Sequence, residues 1–194
     1  PEFIDDAVEI MEHSVAKMQR LMQLLRTGIP GSPPVTSNLV AVVRNAVENC
    51  AARQPVPVYE CEREEIRMNL DQDRMTSVIE NLIQNAQDAT RDEGSVSVSL
   101  TRDDKHAMIT ITDSGCGMDA AFIRERLFRP FDTTKGDTGM GIGAYECREY
   151  VHSLNGDLEV HSKPGQGTTI QVLLPVVAIK VAEQEVVPNM ESLG

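Results

Sequence analysis

Paired cysteines, clustered histidines and long apolar runs are missing from this chain, and each absence excludes a class of protein. The four Cys form no C-x-x-C pair and the four His are scattered singly, so the sequence offers no zinc site. We interpret the cysteines as free thiols in a reducing cytoplasm. No apolar run approaches the roughly 20 residues that cross a bilayer, so we expect no membrane contact by these residues.

Positive charge is also scarce. Lys and Arg total 18 against 30 Asp and Glu, which gives a net charge of -12. Because nucleic-acid binding depends on basic side chains at the phosphates, we expect no nucleic-acid partner. The 194 residues suffice for one sizeable core and an appendage. The sequence starts at Pro1 without a Met, so we expect a piece of a longer protein.

The first 28 residues predict a helix that packs against a partner. Apolar residues recur alternately four and three positions apart, at Ile4, Val8, Met11, Val15, Met18, Met22 and Leu25. Such a heptad seam is typical of a coiled coil or small bundle. We favour a dimer through residues 4–25 over a helix that lies on its own domain. Gly and Pro residues then predict a linker over residues 29–36.

Residues 37–175 have the pattern of an α+β domain. Ser37 is expected to cap the first helix and Asp71 the second, because their side chains accept hydrogen bonds from free N–H groups. Helices are predicted at residues 39–50, 72–86, 120–127 and 142–154, and strands at 58–62, 66–70, 96–100, 108–113, 158–161 and 168–174. This order predicts a two-layer sandwich, a mostly antiparallel mixed sheet with helices on one face. Residues 176–194 form a tail without a sustained period.

The run DSGCG at residues 113–117 places a carboxylate at the end of a strand with two glycines after it. Alternating apolar and hydroxyl residues before Asp113 indicate the strand. Gly115 and Gly117 let the backbone fold tightly beside whatever the carboxylate binds, because a Cβ would block the approach. Taken alone, this run is more typical of an ordinary turn than of a binding site.

On the second helix, Asn81, Asn85 and Asp88 share one face because they lie four and three residues apart. Asn is a poor helix former, so two of them in mid-helix cost stability unless their amides bind something. Amide and carboxylate oxygens suit Mg²⁺, which shares phosphate oxygens. A solvated helix face is the alternative.

Residues 128–143 form a third candidate segment, FRPFDTTKGDTGMGIG, which leads into a helix. Glycine-rich backbone at a helix N-terminus presents N–H groups to anions, so we expect a phosphate cradle. It is not a Walker A loop, because no Gly-Lys-Ser/Thr stands at the required spacing. No parallel strand runs directly into it, which excludes a dinucleotide-binding unit.

In this order, the three segments and GQGTT at residues 165–169 resemble the N, G1, F, G2 and G3 boxes of the histidine kinase, gyrase, Hsp90 and MutL ATP-binding superfamily. NLIQNA at residues 81–86 and FRPFDTTK look like sensor histidine kinases. GMGIGAYECREYV at residues 139–151 resembles the kinases associated with PEP-CTERM/exosortase systems. The resemblance implies a Bergerat-type fold, ATP and Mg²⁺ as ligands, and the cytoplasmic part of a membrane-anchored bacterial sensor.

The resemblance also implies a role for each matched residue. Asp113 would accept a hydrogen bond from the adenine amino group, with Thr168 supporting that contact. Asn85 would hold Mg²⁺ beside Asn81, and Lys135 would meet the phosphates; these three form the implied catalytic set. Further nucleotide contacts would be Gly115, Gly117, Thr134, Thr138, Gly139, Gly141 and Ile142, and residues 132–138 would form a short ATP lid.

Position 81 favours transfer over hydrolysis. Hydrolytic relatives place a Glu four residues before the metal-binding Asn, whereas Asn81 stands there and cannot take a proton at neutral pH. Glu80 points about 100° away around the helix. Asp137 replaces a common Gly, and Asp88 a common basic residue, so Lys135 is expected to carry the phosphate charge alone.

Kinases of this family phosphorylate a His on the first helix of a dimeric bundle. His13 has an outward heptad position and lacks the acidic residue that usually follows. Residues 1–28 look like the second bundle helix, so the acceptor is expected upstream of Pro1, with a response regulator as the later partner. Two alternatives stay open: a serine kinase of the anti-sigma type, and a nucleotide-sensing dimerisation module without transfer.

Overall fold

The computed structural model describes residues 35–132 and 141–176. The predicted heptad helix and the residues from 177 onward lie outside these ranges. The elements are β1 (Val35–Asn38), α1 (Leu39–Cys50), β2 (Val58–Cys61), β3 (Arg67–Leu70), α2 (Gln72–Ala89), β4 (Val96–Arg102), β5 (His106–Asp113), α3 (Ala120–Glu125), α4 (Gly143–Ser153), β6 (Asp157–Ser162) and β7 (Thr168–Pro175).

The main sheet has five strands in the order β2-β4-β5-β7-β6. The β2–β4 pair is parallel, and the other neighbours are antiparallel. This confirms the predicted mixed, mostly antiparallel sheet. β5 lies in the middle, and its last residue, Asp113, stands opposite Thr168, the first residue of β7. The register therefore brings two distant predicted site residues together at one end of the sheet.

A hydrophobic core joins α1, α2 and α4 to one face of the sheet. Along β5, buried and half-buried residues alternate, as a strand with one covered face requires. α2 is the central helix, because it packs against both α1 and α4 and also contacts β5. Its apolar face includes Ile79, Leu82 and Ile83, which are at most 2% exposed. The polar face of the same helix is thereby held at a fixed position above the sheet end.

The two predicted helix caps have different outcomes. Asp71 caps α2 as expected, since its side chain accepts a hydrogen bond from the Arg74 N–H at 3.1 Å. The prediction for Ser37 is wrong, because Asn38 caps α1 and accepts from the Val40 N–H at 3.1 Å. Ser37 is instead buried in β1, a strand that the sequence pattern missed and whose first two residues were assigned to the linker.

The pairing of β1 with β3 explains why Asn38, and not Ser37, caps α1. Antiparallel pairing keeps the backbone extended as far as Asn38. The Asn38 carboxamide oxygen also accepts from the Ile66 N–H at 3.1 Å, and the Leu39 N–H donates to the Ile66 carbonyl at 2.8 Å. Because these bonds join residues far apart in the sequence, local capping preference could not reveal them.

Candidate functional site

A cavity of about 510 Å³ opens between α2, the end of β5, and the segments around α3 and the start of α4. This volume lies in the usual range for small-molecule sites, roughly 300–1,000 Å³. Six residues predicted from the sequence line it: Asn81, Asn85, Asp113, Gly141, Ile142 and Thr168. The fold thus gathers residues from four separate sequence segments around one space.

Asp113 forms the buried end of the cavity and is only 7% exposed. Its Oδ1 accepts hydrogen bonds from the Gly115 N–H at 2.8 Å and from the Thr168 N–H at 3.2 Å. Both bonds reach the same oxygen, so Oδ2 is the atom left to meet a ligand donor. Burial raises the pKa of the Asp113 carboxyl above its usual value, and the two N–H donors oppose that rise.

The glycines after Asp113 act through the backbone behind the cavity. A Cβ on Gly115 would lie 2.8 Å from Asp113 Oδ1 and closer still to the Ala89 carbonyl. Gly117 has a φ of +66°, and a Cβ there would overlap the Lys163 carbonyl. Neither glycine lines the cavity, whereas Cys116 between them does. Their effect on a ligand would therefore come from fixing the turn that holds Asp113.

Ser162 supports the same end and was not found from the sequence. Its hydroxyl accepts from the Met118 N–H at 2.8 Å and donates to the Gly167 carbonyl at 2.9 Å. Because that uses its only proton, the 3.0 Å contact with Thr168 Oγ1 has Thr168 as the donor. The only sequence signal for Ser162 is a hydroxyl residue at a strand end before a Pro-Gly turn, which is common in surface loops.

At the opposite end, α2 presents the two asparagines to the cavity. Asn85 Nδ2 donates to Asn81 Oδ1 at 3.0 Å, as their four-residue spacing allows. This bond turns the carbonyl oxygen of Asn85 to the other side of its amide. The two amides supply hard oxygen atoms of the kind that Mg²⁺ prefers as ligands.

The described walls of the cavity are acidic. Four carboxylates line it, those of Asp88, Asp113, Asp119 and Asp132. Arg126 is the only Lys or Arg among the lining residues that the structure describes, and it is paired with Asp132 through two bonds of 2.9 and 2.5 Å. Asp88 pairs with Arg53. A polyanionic ligand would therefore need a metal ion or further cations here.

Several predicted phosphate contacts lie outside the described residues, namely Thr134, Lys135, Thr138 and Gly139, together with Asp137. The two ends of that segment adjoin, because the Phe131 N–H donates to the Gly141 carbonyl at 2.9 Å. Gly141 has a φ of +62°, and a Cβ there would overlap the Asp132 backbone. α4 then begins with Ile142 as its N-cap residue and without a side-chain cap.

Comparison with known proteins agrees with this geometry. The family model described as "Histidine kinase-, DNA gyrase B-, and HSP90-like ATPase" matches residues 70–178. The chain belongs to this family. It is 35% identical over 121 residues to the sensor protein EvgS of Escherichia coli O157:H7. It is 31% identical over 120 residues to the signal transduction histidine-protein kinase AtoS of Escherichia coli K12. The predicted family is thereby confirmed; the PEP-CTERM subfamily stays a prediction.

These matches cover 58% and 61% of this chain but only 10% and 19% of the two relatives. Among solved structures, the mycobacterial sensor histidine kinase MprB aligns with a TM-score of 0.63 and 24% identity, over 73% of this chain and 97% of that one. This likeness confirms the fold class. Across residues 35–132 and 141–176, no helix is long and apolar enough to cross a membrane.

Proposed function

We propose that this chain binds ATP with Mg²⁺ in the cavity and transfers the γ-phosphate to a histidine of a longer sensor kinase. The observation that carries the proposal is the buried Asp113, whose two backbone hydrogen bonds fall on Oδ1. Its Oδ2 would then serve as the acceptor for a ligand in the cavity that Asp113 lines, which suits the exocyclic amino group of adenine. A base that carries a carbonyl at that position would be disfavoured, because its oxygen and the carboxylate are both hydrogen-bond acceptors.

The residues present also fit a magnesium ion. Within the described ranges no three His, Cys, Asp or Glu residues form a metal cluster, so no all-protein cage exists there. Mg²⁺ commonly needs only one or two protein ligands when phosphates and waters supply the rest. The Asn85 carbonyl oxygen would be such a ligand. When bound, the ion neutralises phosphate charge, which the acidic walls would otherwise repel.

Transfer is favoured over hydrolysis because neither Asn81 nor its neighbour Glu80 is placed as a base for water. Asn81 is an amide whose Oδ1 already accepts from Asn85. Glu80, the neighbouring carboxylate, does not line the cavity and accepts a 2.6 Å hydrogen bond from Asn49 on α1. The residues of this chain would then act by positioning the reactants. Asp113 would orient the base, Asn85 would bind the metal ion, and Lys135 would contact the phosphates.

The rest of the proposal concerns the longer protein. The acceptor histidine would lie on a helix upstream of Pro1, residues 4–25 would form the dimer, and a response regulator would receive the phosphate. The chain would be the cytoplasmic part of a membrane-anchored sensor. The family membership and the names of the relatives support this reading.

A trans-phosphorylation assay with γ-labelled ATP tests the proposal. This chain is mixed with a longer version that restores the upstream helix and carries Asp113→Ala. Acid-labile, alkali-stable label on the longer version alone is the expected result. Label on this chain would assign the acceptor to His13, and acid-stable label would favour a serine kinase. ATP binding without any label would favour a nucleotide-sensing module.

A further inference from the structure

The first residue of α4 lies directly against the side chain of Asn81. A Cβ built on Gly143 would stand 2.8 Å from Asn81 Cγ and nearer still to both atoms of its amide. That is closer than carbon atoms approach in folded proteins, so one group would have to move. The Asn81 amide is the mobile end of a short side chain, and rotating it costs less than moving a helix. Glycine at position 143 therefore determines where that amide lies.

Cys147, one turn further along α4, contacts the same amide. Its Sγ lies 3.8 Å from Asn81 Oδ1 and 3.6 Å from the Val78 carbonyl. The thiol is 2% exposed, and burial raises its pKa to about 12. It is therefore a neutral, weak S–H donor between two acceptors on α2. Asn81 Oδ1 faces both this thiol and the Asn85 amide, which fixes the orientation of the pair.

We propose that Gly143 and Cys147 are positioning residues for the metal end of the site. They hold the Asn81 amide, and Asn81 in turn directs the Asn85 carbonyl oxygen toward the metal ion. This inference rests on the proposed function, since it needs Asn85 as a metal ligand. Neither residue is expected to touch the base, so their effect should fall mainly on the part of nucleotide affinity that Mg²⁺ supplies.

The test compares ATP dissociation constants with and without Mg²⁺, measured by calorimetry on this chain. Mg²⁺ increases the ATP affinity of the unaltered chain by some factor, called here the gain from Mg²⁺. Gly143→Ala should lower this factor about tenfold, because loss of a supporting contact to a metal ligand has an effect of that size. It should weaken metal-free binding less, because Asp113 is not disturbed even though Gly143 itself lines the cavity. Adding Gly143→Ala to Asn81→Ala should have no further effect, because the smaller side chain leaves room for the new methyl group.

Cys147 gives a second, independent variant that removes atoms instead of adding them. Cys147→Ala should lower the gain from Mg²⁺ and Cys147→Ser, which keeps a donor, should restore it. Melting temperatures measured alongside separate a packing defect from this effect. Equal losses with and without Mg²⁺, or an unchanged gain, would overturn the inference and leave the proposed function intact. Failure of the unaltered chain to bind ATP would contradict both.

Discussion

The two ends of the cavity, the base end at Asp113 and the metal end at Asn85, are formed by different kinds of contact. Around Asp113, the contacts come from backbone N–H groups, a strand register, turns that need glycine and the hydroxyls of Ser162 and Thr168. Around Asn85, the contacts come from side-chain amides on a helix and from an acidic wall. The first end is preorganised by the chain itself, as recognition of a neutral base edge requires. The described walls of the cavity carry four carboxylates, one of them Asp113, and one Arg, so we expect the two ends to respond differently to mutation and to Mg²⁺.

Removing the Asp113 carboxylate should abolish the proposed hydrogen bond to adenine and have the largest effect on ATP binding. A hydrogen bond to a charged group contributes about 1.5–3 kcal/mol, so Asp113→Ala should weaken ATP binding about 10- to 100-fold. The loss should be the same with and without Mg²⁺ in calorimetric titrations. Asp104→Ala, which removes an exposed carboxylate from the β4–β5 turn, is the matched control and should leave affinity unchanged.

Two glycine variants test whether the base end is held by its backbone. Gly117→Ala combines a left-handed backbone with a clash against the Lys163 carbonyl, and should cost about 3 kcal/mol of unfolding free energy. Gly165→Ala has a similar φ of +74° but nothing within 4 Å of the new Cβ, and should cost only about 1–2 kcal/mol. Denaturant unfolding measures both. Equal costs would mean that the close approach behind Asp113 is unimportant.

Asn85→Ala tests whether the metal end of the cavity contributes to ATP binding only through Mg²⁺. It should weaken ATP binding about tenfold in the presence of Mg²⁺ and hardly at all in its absence, because the amide acts only through the ion. The control is Asn49→Ala, which removes an exposed amide from α1 outside the cavity. An equal loss under both conditions would assign Asn85 to direct nucleotide contact.

A smaller and more gradual effect is expected from pH. Burial raises the pKa of Asp113 in the free domain, and the proposed complex needs the ionised carboxylate. ATP affinity should therefore be full above that raised pKa and fall by up to about tenfold per pH unit below it. Folding has the opposite sign, since a raised pKa contributes stability at low pH that is lost as pH rises through it. Titrations from about pH 8 to about pH 5 check the first trend; affinity that is flat with pH would contradict it.

Sequence patterns located the elements because their causes are local. The Asp71 cap depends on residues within one turn of helix, and the strand before Asp113 shows its alternation directly. The residues that share the cavity could be grouped only through the family resemblance. Nothing within the run DSGCG tells that its carboxylate faces Thr168, a residue 55 positions away.

What the sequence could not predict depends on contacts between distant segments. Because of the β1–β3 pairing, Asn38 caps the first helix and Ser37 does not. The pairing of Asp88 with Arg53 likewise joins α2 to the loop after α1, and no local sequence pattern connects the two. Gly143 looked like one more glycine of a phosphate cradle, and its contact with Asn81 depends on how α4 packs against α2. Such packing is a property of the whole core.

The most direct test of the account is one series of ATP titrations, with and without Mg²⁺, on the unaltered chain, Asp113→Ala and Asn85→Ala. We expect Mg²⁺ to tighten ATP binding to the unaltered chain. Asp113→Ala should lose affinity under both conditions, and Asn85→Ala should lose only the gain from Mg²⁺. If Asp113→Ala bound ATP as tightly as the unaltered chain, the cavity would not be the adenine site, and the proposed function would lose its main support.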